Sequence, residues 1–271
     1  MKTTSTRILL IVALFFGTIL GGAAQYLEIG VNASAMRYYG DLSAGNFKPS
    51  GSLFLRYNCN PHLALRGQFT YGSFSGSDAL AREERVRARN LSFDNQFFEI
   101  SAVAELNFTG LDVMDGKTHA PYIFAGVGGF YHNPTANYQG TTYQLWKLKT
   151  EGVAYSSISM SFPVGLGLRW ALGKRFNIGF EMAVRPTMTD YLDDVATTYP
   201  NLETMAETNP QAAILSYRTP EYYNFAVDAP SAGTRRGDKL KIDALYSIGI
   251  NFSYNLASAK RMEYNSLYKT F

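Results

Sequence analysis

The stretch IDALYSIGINFSYNL, residues 242–256, decides the fold. Ile242, Ala244, Tyr246, Ile248, Ile250, Phe252, Tyr254 and Leu256 share one parity, and Asp243, Leu245, Ser247, Gly249, Asn251, Ser253 and Asn255 share the other. Successive side chains of a β-strand point to opposite faces, so this segment has one apolar wall and one that is mostly small and polar. At about fifteen residues it exceeds the nine to eleven that a tilted strand needs to cross a bilayer. A strand with lipid on one side and a narrow lumen on the other has this pattern.

Seven more stretches alternate in the same way: Leu27 to Met36, Gly51 to Tyr57, Leu63 to Ser73, Phe97 to Phe108, Pro121 to His132, Ile158 to Trp170 and Phe176 to Arg185. In the fifth, Gly126, Gly128 and Gly129 leave both faces apolar or small, and analogy with its neighbours puts Tyr122, Phe124 and Phe130 outward. The polar segments Ser75 to Leu91, Asn133 to Ser157 and Pro186 to Lys241 read as long loops, whereas Asn58-Cys59-Asn60-Pro61 and Leu172-Gly173-Lys174-Arg175 read as tight turns.

The sequence therefore predicts an all-β, eight-stranded antiparallel transmembrane β-barrel of the outer-membrane type. A soluble lipocalin-like barrel also alternates, with its apolar face inward. Three features favour the membrane. The polar face carries Gly, Ser, Asn and charges of both signs instead of a continuous Lys and Glu coat, which suits a tight interior. Long and short connections segregate to opposite ends. Tyr57, Phe108, Tyr122, Trp170, Phe176 and Tyr254 fall at the short-turn ends and would form an aromatic girdle. Both termini are then expected in the periplasm of a Gram-negative envelope.

The 271 residues begin with Lys2 and Arg7, an apolar run from Ile8 to Leu20 and the small residues Gly22-Ala23-Ala24. That order predicts a signal peptide over residues 1–24, with the run too short for the roughly twenty residues of a spanning helix. The barrel is expected over 25–256 and a periplasmic tail over 257–271. Losing Lys2 and Arg7 brings the net charge from +3 to +1, which gives no electrostatic case for nucleic acid. The single cysteine, Cys59, excludes an internal disulfide.

Glu28, Arg56, Arg66, Glu99, Glu105, Arg169, Glu181, Arg185 and Asp243 take the inward parity. Isolated charges in so narrow a lumen are costly, so they are expected to pair across it; an ion pore or proton relay is the functional alternative. His62, His119 and His132 match no metal motif and are expected to be solvated; His132 alone stands at the outer end, where a lipid-modifying enzyme would need one. Asp190, Asp193 and Asp194 either hold a cation or order a loop base by pairing with Arg185 or Arg218. Arg236-Gly237-Asp238 matches an adhesion tripeptide or a simple turn. The arginines from Arg82 to Arg89 either meet lipid phosphate or sit in a solvated loop. No catalytic constellation, cofactor site or metal site is expected.

Several segments resemble the PorG family, the small outer-membrane barrel component of the type IX secretion system. They include Glu28-Ile29-Gly30, Tyr39-Gly40-Asp41-Leu42, Arg56-Tyr57-Asn58, Leu63-Ala64-Leu65-Arg66-Gly67 and Arg89-Asn90-Leu91-Ser92-Phe93. Pro121 to Gly126, Phe176 to Gly179, Thr189 to Val195 and Arg235 to Asp238 complete the series. The resemblance implies a non-catalytic barrel that anchors or assembles a periplasmic ring of the PorK lipoprotein and PorN. Lys260, Arg261, Tyr264 and Tyr268 in the tail are the candidate partner contacts. The rival reading is a surface barrel active in adhesion or envelope integrity through its long loops.

Overall fold

The computed structural model describes residues 27–109, 118–173, 175–237 and 242–256. Its strands are β1 (Leu27–Tyr39), β2 (Lys48–Asn58), β3 (Leu63–Ser77), β4 (Ser92–Asn107) and β5 (His119–Tyr138), followed by β6 (Thr141–Gln144), β7 (Ile158–Ser161), β8 (Val164–Leu172), β9 (Phe176–Pro186) and β10 (Ala244–Asn255). Each barrel strand pairs antiparallel with the next, and β10 closes on β1 in a register running from Glu28 opposite Asn255 to Tyr39 opposite Ala244. β7 and β8 together supply one wall position, both pairing with β5. Pro163 interrupts them because it has no N–H to give the ladder, and its carbonyl instead accepts from the Gly126 N–H at 2.9 Å. The result is a ring of eight strand positions with no edge in the lipid-facing wall, as a bilayer requires.

The predicted parity holds along seven of these positions. Ile100 is 72% exposed and Leu53 62%, whereas all nine inward charges are buried. This is the reverse of a soluble barrel. Strand β5 corrects the expectation: Tyr122, Phe124 and Phe130 are buried in the lumen, so Tyr122 leaves the proposed girdle. The cause is cross-strand. Tyr122 lies opposite Gly167 and Phe124 opposite Gly165, and a Cβ on either glycine would meet those rings at 2.3 and 2.4 Å. Glycines on one strand make room for rings on its neighbour.

The strands also run further than expected. β5 has 20 residues, about 66 Å of strand at ~3.3 Å per residue, far more than a hydrocarbon core needs. A second aromatic girdle marks where they leave the lipid: Tyr39 meets Tyr246 at 6.0 Å, Tyr71 meets Phe98 at 4.8 Å and Phe98 meets Tyr131 at 6.3 Å. From Phe98 to Phe108 the spacing is about 33 Å of strand, which stands about 25 Å tall at a tilt of ~40° and matches a membrane band.

Beyond this girdle the amphipathicity inverts. Outward positions become Ser73, Ser75, Gln96, Asp94, Asn133 and Thr135, and inward ones become Phe74, Phe93, Phe97, Phe130 and Ala136. With water outside, the hydrophobic effect drives apolar groups inward again. Parts of the expected loops 75–91 and 133–157 are therefore strand, with β5 and β6 forming a hairpin above the membrane. The largest connection carries short helices at Leu202–Thr208, Pro210–Ser216 and Thr219–Tyr223. Among the described residues no helix is long and apolar enough to cross a membrane.

Candidate functional site

Two layers close the lumen. The first, toward the short-turn end, is a charge lattice. Arg56 forks onto Glu105 at 2.8 and 3.2 Å and reaches Glu28 at 2.6 Å. Arg66 forks onto Glu181 at 2.6 and 3.2 Å and touches Glu105 at 3.1 Å. Arg169 donates to Glu105 at 2.8 Å. The remaining carboxylate capacity is met by Asn177 on Glu28, and by the Tyr122 hydroxyl and Asn251 on Glu181. Inward rings flank the cations: Arg66 lies 5.0 Å from the Phe124 centroid and Arg169 5.2 Å from that of Tyr122. Nearer the outer girdle, Glu99 accepts from Ser161 at 2.6 Å and lies 3.5 Å from Arg185. Arg56, Arg66, Arg169 and Arg185 thus balance Glu28, Glu99, Glu105 and Glu181 one for one, as charges removed from bulk water require.

The second layer is apolar. Met36, Tyr38, Phe74, Phe93, Phe97 and Phe130 fill the barrel above the lattice, and Leu192, Val195 and Leu215 of the largest connection, with Leu145 of another, complete the cluster.

A polar girdle ties these connections to the wall, and it joins segments far apart in sequence. Asp193 accepts from the Tyr38 hydroxyl at 2.6 Å and from the Leu42 N–H at 3.1 Å. Arg89 holds Asp78 with two 2.7 Å bonds and donates to the backbone carbonyls of Arg236 and Asp41 at 2.7 and 3.1 Å. Arg236 donates to Glu151 at 3.1 Å and to the Asp194 carbonyl at 2.7 Å. Asp194 accepts from Thr150 and, at 2.7 Å, from Tyr155. Burial, above all, raises the carboxyl of Asp193 and pushes that of Asp194 up to about 6, while the Tyr38, Leu42 and Val195 donors hold the rise of Asp193 back. It raises Asp243 well above the carboxylate range, and the neighbouring Asp193 charge adds to the effect.

The residues singled out in the sequence divide clearly. Tyr39 to Leu42, Arg89 to Phe93, Thr189 to Val195 and the described part of Arg235 to Asp238 converge on this cap, although no local pattern announces it. Asp193 and Asp194 turn to different partners, Asp194 lying 3.9 Å from Arg236, and neither pairs with Arg185 or Arg218. Arg218 pairs instead with Glu221. Among the described residues no group of three or more His, Cys, Asp or Glu is placed to hold a metal ion.

His132 is not solvated as expected: it is 0% exposed, its Nε2 is 3.2 Å from the Ser156 carbonyl oxygen, and its ring packs near Phe130 and Tyr155 inside the barrel. It cannot reach lipid as a catalytic group must. Arg236 is buried, so the Arg-Gly-Asp sequence is not displayed from that end, and Asp238 lies outside the described residues. Arg89 is spent inside the cap, leaving Arg82 and Arg85 exposed. The expected signal peptide and the tail residues Lys260, Arg261, Tyr264 and Tyr268 also lie outside the described residues.

An inside-out wall around a filled lumen defines the class: an eight-stranded β-barrel of the outer-membrane type. The chain belongs to the family described as a domain of unknown function, DUF6089, whose model matches residues 6–212. No protein of curated function matches it. Among solved structures it is similar to Neisserial surface protein A, with 10% identity over 85% of this chain and 97% of that one at a TM-score of 0.43. It is also similar to Ail, the attachment invasion locus protein of Yersinia pestis (10% identity, 85% and 98% covered, TM-score 0.41). OprG of Pseudomonas aeruginosa is similar too, with 10% identity, 85% and 95% covered and a TM-score of 0.39.

Proposed function

We propose that the protein is a non-catalytic assembly component of protein secretion, a fixed barrel that anchors a periplasmic ring at the outer membrane. The observation that carries the first half of this reading is the closed interior. A neutral lattice beneath an apolar plug offers neither a path nor a net field for ions, so the barrel acts through its surfaces. Purified protein in planar bilayers is expected to show no stable single-channel conductance; a reproducible open level would overturn the sealed lumen.

The second half rests on the resemblance to the PorG family. In this reading the short turns and the tail after Leu256 face the periplasm, where Lys260, Arg261, Tyr264 and Tyr268 meet PorK or PorN, and outer-membrane lipid is the partner of the exposed band. Co-purification in mild detergent tests it, with ring proteins of the PorK and PorN type expected in the complex. Deleting the gene is expected to stop export of cargo bearing the C-terminal secretion domain. Unchanged export would end the proposal.

One observation favours a surface-binding role as a second reading. Tyr222 meets Tyr223 edge-to-face at 5.0 Å and Tyr223 meets Phe225 at a tilt at 5.5 Å, while all three remain exposed on the largest connection. Trimming residues 219–228 separates the two, since it leaves Leu192, Val195 and Leu215 in the plug. Surface binding is lost only if these rings make it, and ring anchoring is unaffected.

A further inference from the structure

Tyr38 is a single hydroxyl serving two carboxyls. Its oxygen is 2.6 Å from Asp193 Oδ2 and 3.3 Å from Asp243 Oδ1, and Asp193 and Asp243 are 2% and 1% exposed. One hydroxyl has one proton to donate. Asp193 has the surroundings of an anion, accepting the Leu42 and Val195 N–H groups as well as Tyr38. Asp243 receives one N–H, from Leu192, on its other oxygen at 2.9 Å. Among the described residues neither carboxyl takes part in an ion pair; the nearby guanidinium of Arg89 is spent on Asp78, and that of Arg236 on Glu151. Asp41 and Asp190 add negative charge around the pair.

We propose that the largest connection is latched over the barrel mouth by a shared proton: an Asp243 carboxylic acid donates to the Tyr38 oxygen, and Tyr38 donates to the Asp193 carboxylate. The latch joins three places, the end of β1, the Leu192–Val195 turn and the entry to β10. Without the proton, two buried carboxylates face one hydroxyl. Closure is thus favoured by acid and weakened as pH rises.

The sign follows from linkage. The closed cap holds a proton that the open, hydrated carboxyl releases near its ordinary value of about 4, so opening gains about tenfold per pH unit from there up to the raised value in the closed state. For Asp243 that window opens near about 4 and runs up to the value to which burial and the Asp193 charge raise it.

Amide hydrogen exchange of the full chain in detergent micelles, corrected for intrinsic rate at each pH, tests the latch at Leu42, Leu192 and Val195. Protection should fall a hundredfold or more from pH 5 to pH 7, about tenfold per pH unit from the latch, with Asp194 adding to it below pH 6. In Asp243→Asn the fall should be smaller by about tenfold per pH unit, because the amide donates without titrating. A pH-independent wild type, or an unchanged slope in Asp243→Asn, overturns the proposal. Should that variant fail to fold, infrared spectra of wild-type protein carrying carbon-13 aspartate decide: the latch requires a protonated-carboxyl band at pH 6 that shifts in Tyr38→Phe. A spectrum without that band, or with one unmoved by Tyr38→Phe, overturns it equally.

Discussion

Arg56→Ala is expected to destabilise the barrel by about 3–5 kcal/mol, the cost typical of removing one partner from a buried ion pair. Arg56 is 1% exposed and is the only described cation bonded directly to both Glu28 and Glu105 at under 3 Å. Its loss leaves two buried carboxylates short of a cation, with Arg169 at 3.7 Å from Glu28 and 2.8 Å from Glu105 as partial compensation. Arg56→Lys should recover only part of the loss, since an ammonium cannot fork onto Glu105 and reach Glu28 at once. Urea unfolding in detergent, followed by the fluorescence of Trp146 and Trp170 and by electrophoretic mobility of unheated protein, measures both. Lys48→Ala is the control, because its pair with Asp94 is partly exposed and worth about 0–1 kcal/mol. Equal shifts for Arg56→Ala and Lys48→Ala would mean that the lattice does not hold the wall.

Gly40→Val should detach the cap while leaving the wall intact. A Cβ at this position would stand 2.0 Å from both Asp243 Oδ1 and the Tyr38 hydroxyl. Neither can move aside cheaply. The Tyr38 ring is wedged at 5.0 Å against Phe93 and 6.1 Å against Phe74, and Asp243 is tied to the Leu192 N–H. Overpacking of this kind costs about 1–3 kcal/mol, and here it falls on the contacts that seat the largest connection. Limited proteolysis should cut the variant within residues 187–237 under conditions that spare the wild type, with the remaining barrel resistant. An unchanged cleavage pattern would show that the cap is seated by other contacts.

Much of this architecture is legible in the sequence because a strand's period of two exposes its solvent on each side. Ile242 to Leu256 and its counterparts reveal the ring, and every inward charge named from parity is buried. Orientation of β5 is not legible locally. Gly126, Gly128 and Gly129 make its two faces alike, and the deciding fact is the register that sets Tyr122 and Phe124 against Gly167 and Gly165. The extension beyond the membrane hides for a different reason. When the outside changes from lipid to water the same parity reverses sign, so Phe74, Phe93 and Phe97 look like the end of a pattern although they continue it. Tyr38 and Asp193 are 155 residues apart, and only the closed ring brings them together. The cap could have been suspected from Asp193 and Asp194, which lie between Leu192 and Val195 with no cation at a helical or strand spacing.

One continuous wall crosses from lipid to water and inverts its amphipathicity on the way. Nitroxide labels placed one at a time on the outward face of β4, at Leu106, Ala104, Ala102, Ile100, Gln96 and Asp94 in a Cys59→Ser background reconstituted in bilayers, test it directly. The first four should relax preferentially with dissolved oxygen, which partitions into lipid, and Gln96 and Asp94 with a water-soluble nickel chelate, the change falling beside Phe98. Lipid-like accessibility at Gln96 and Asp94, or water-like accessibility at Ile100, would contradict the account.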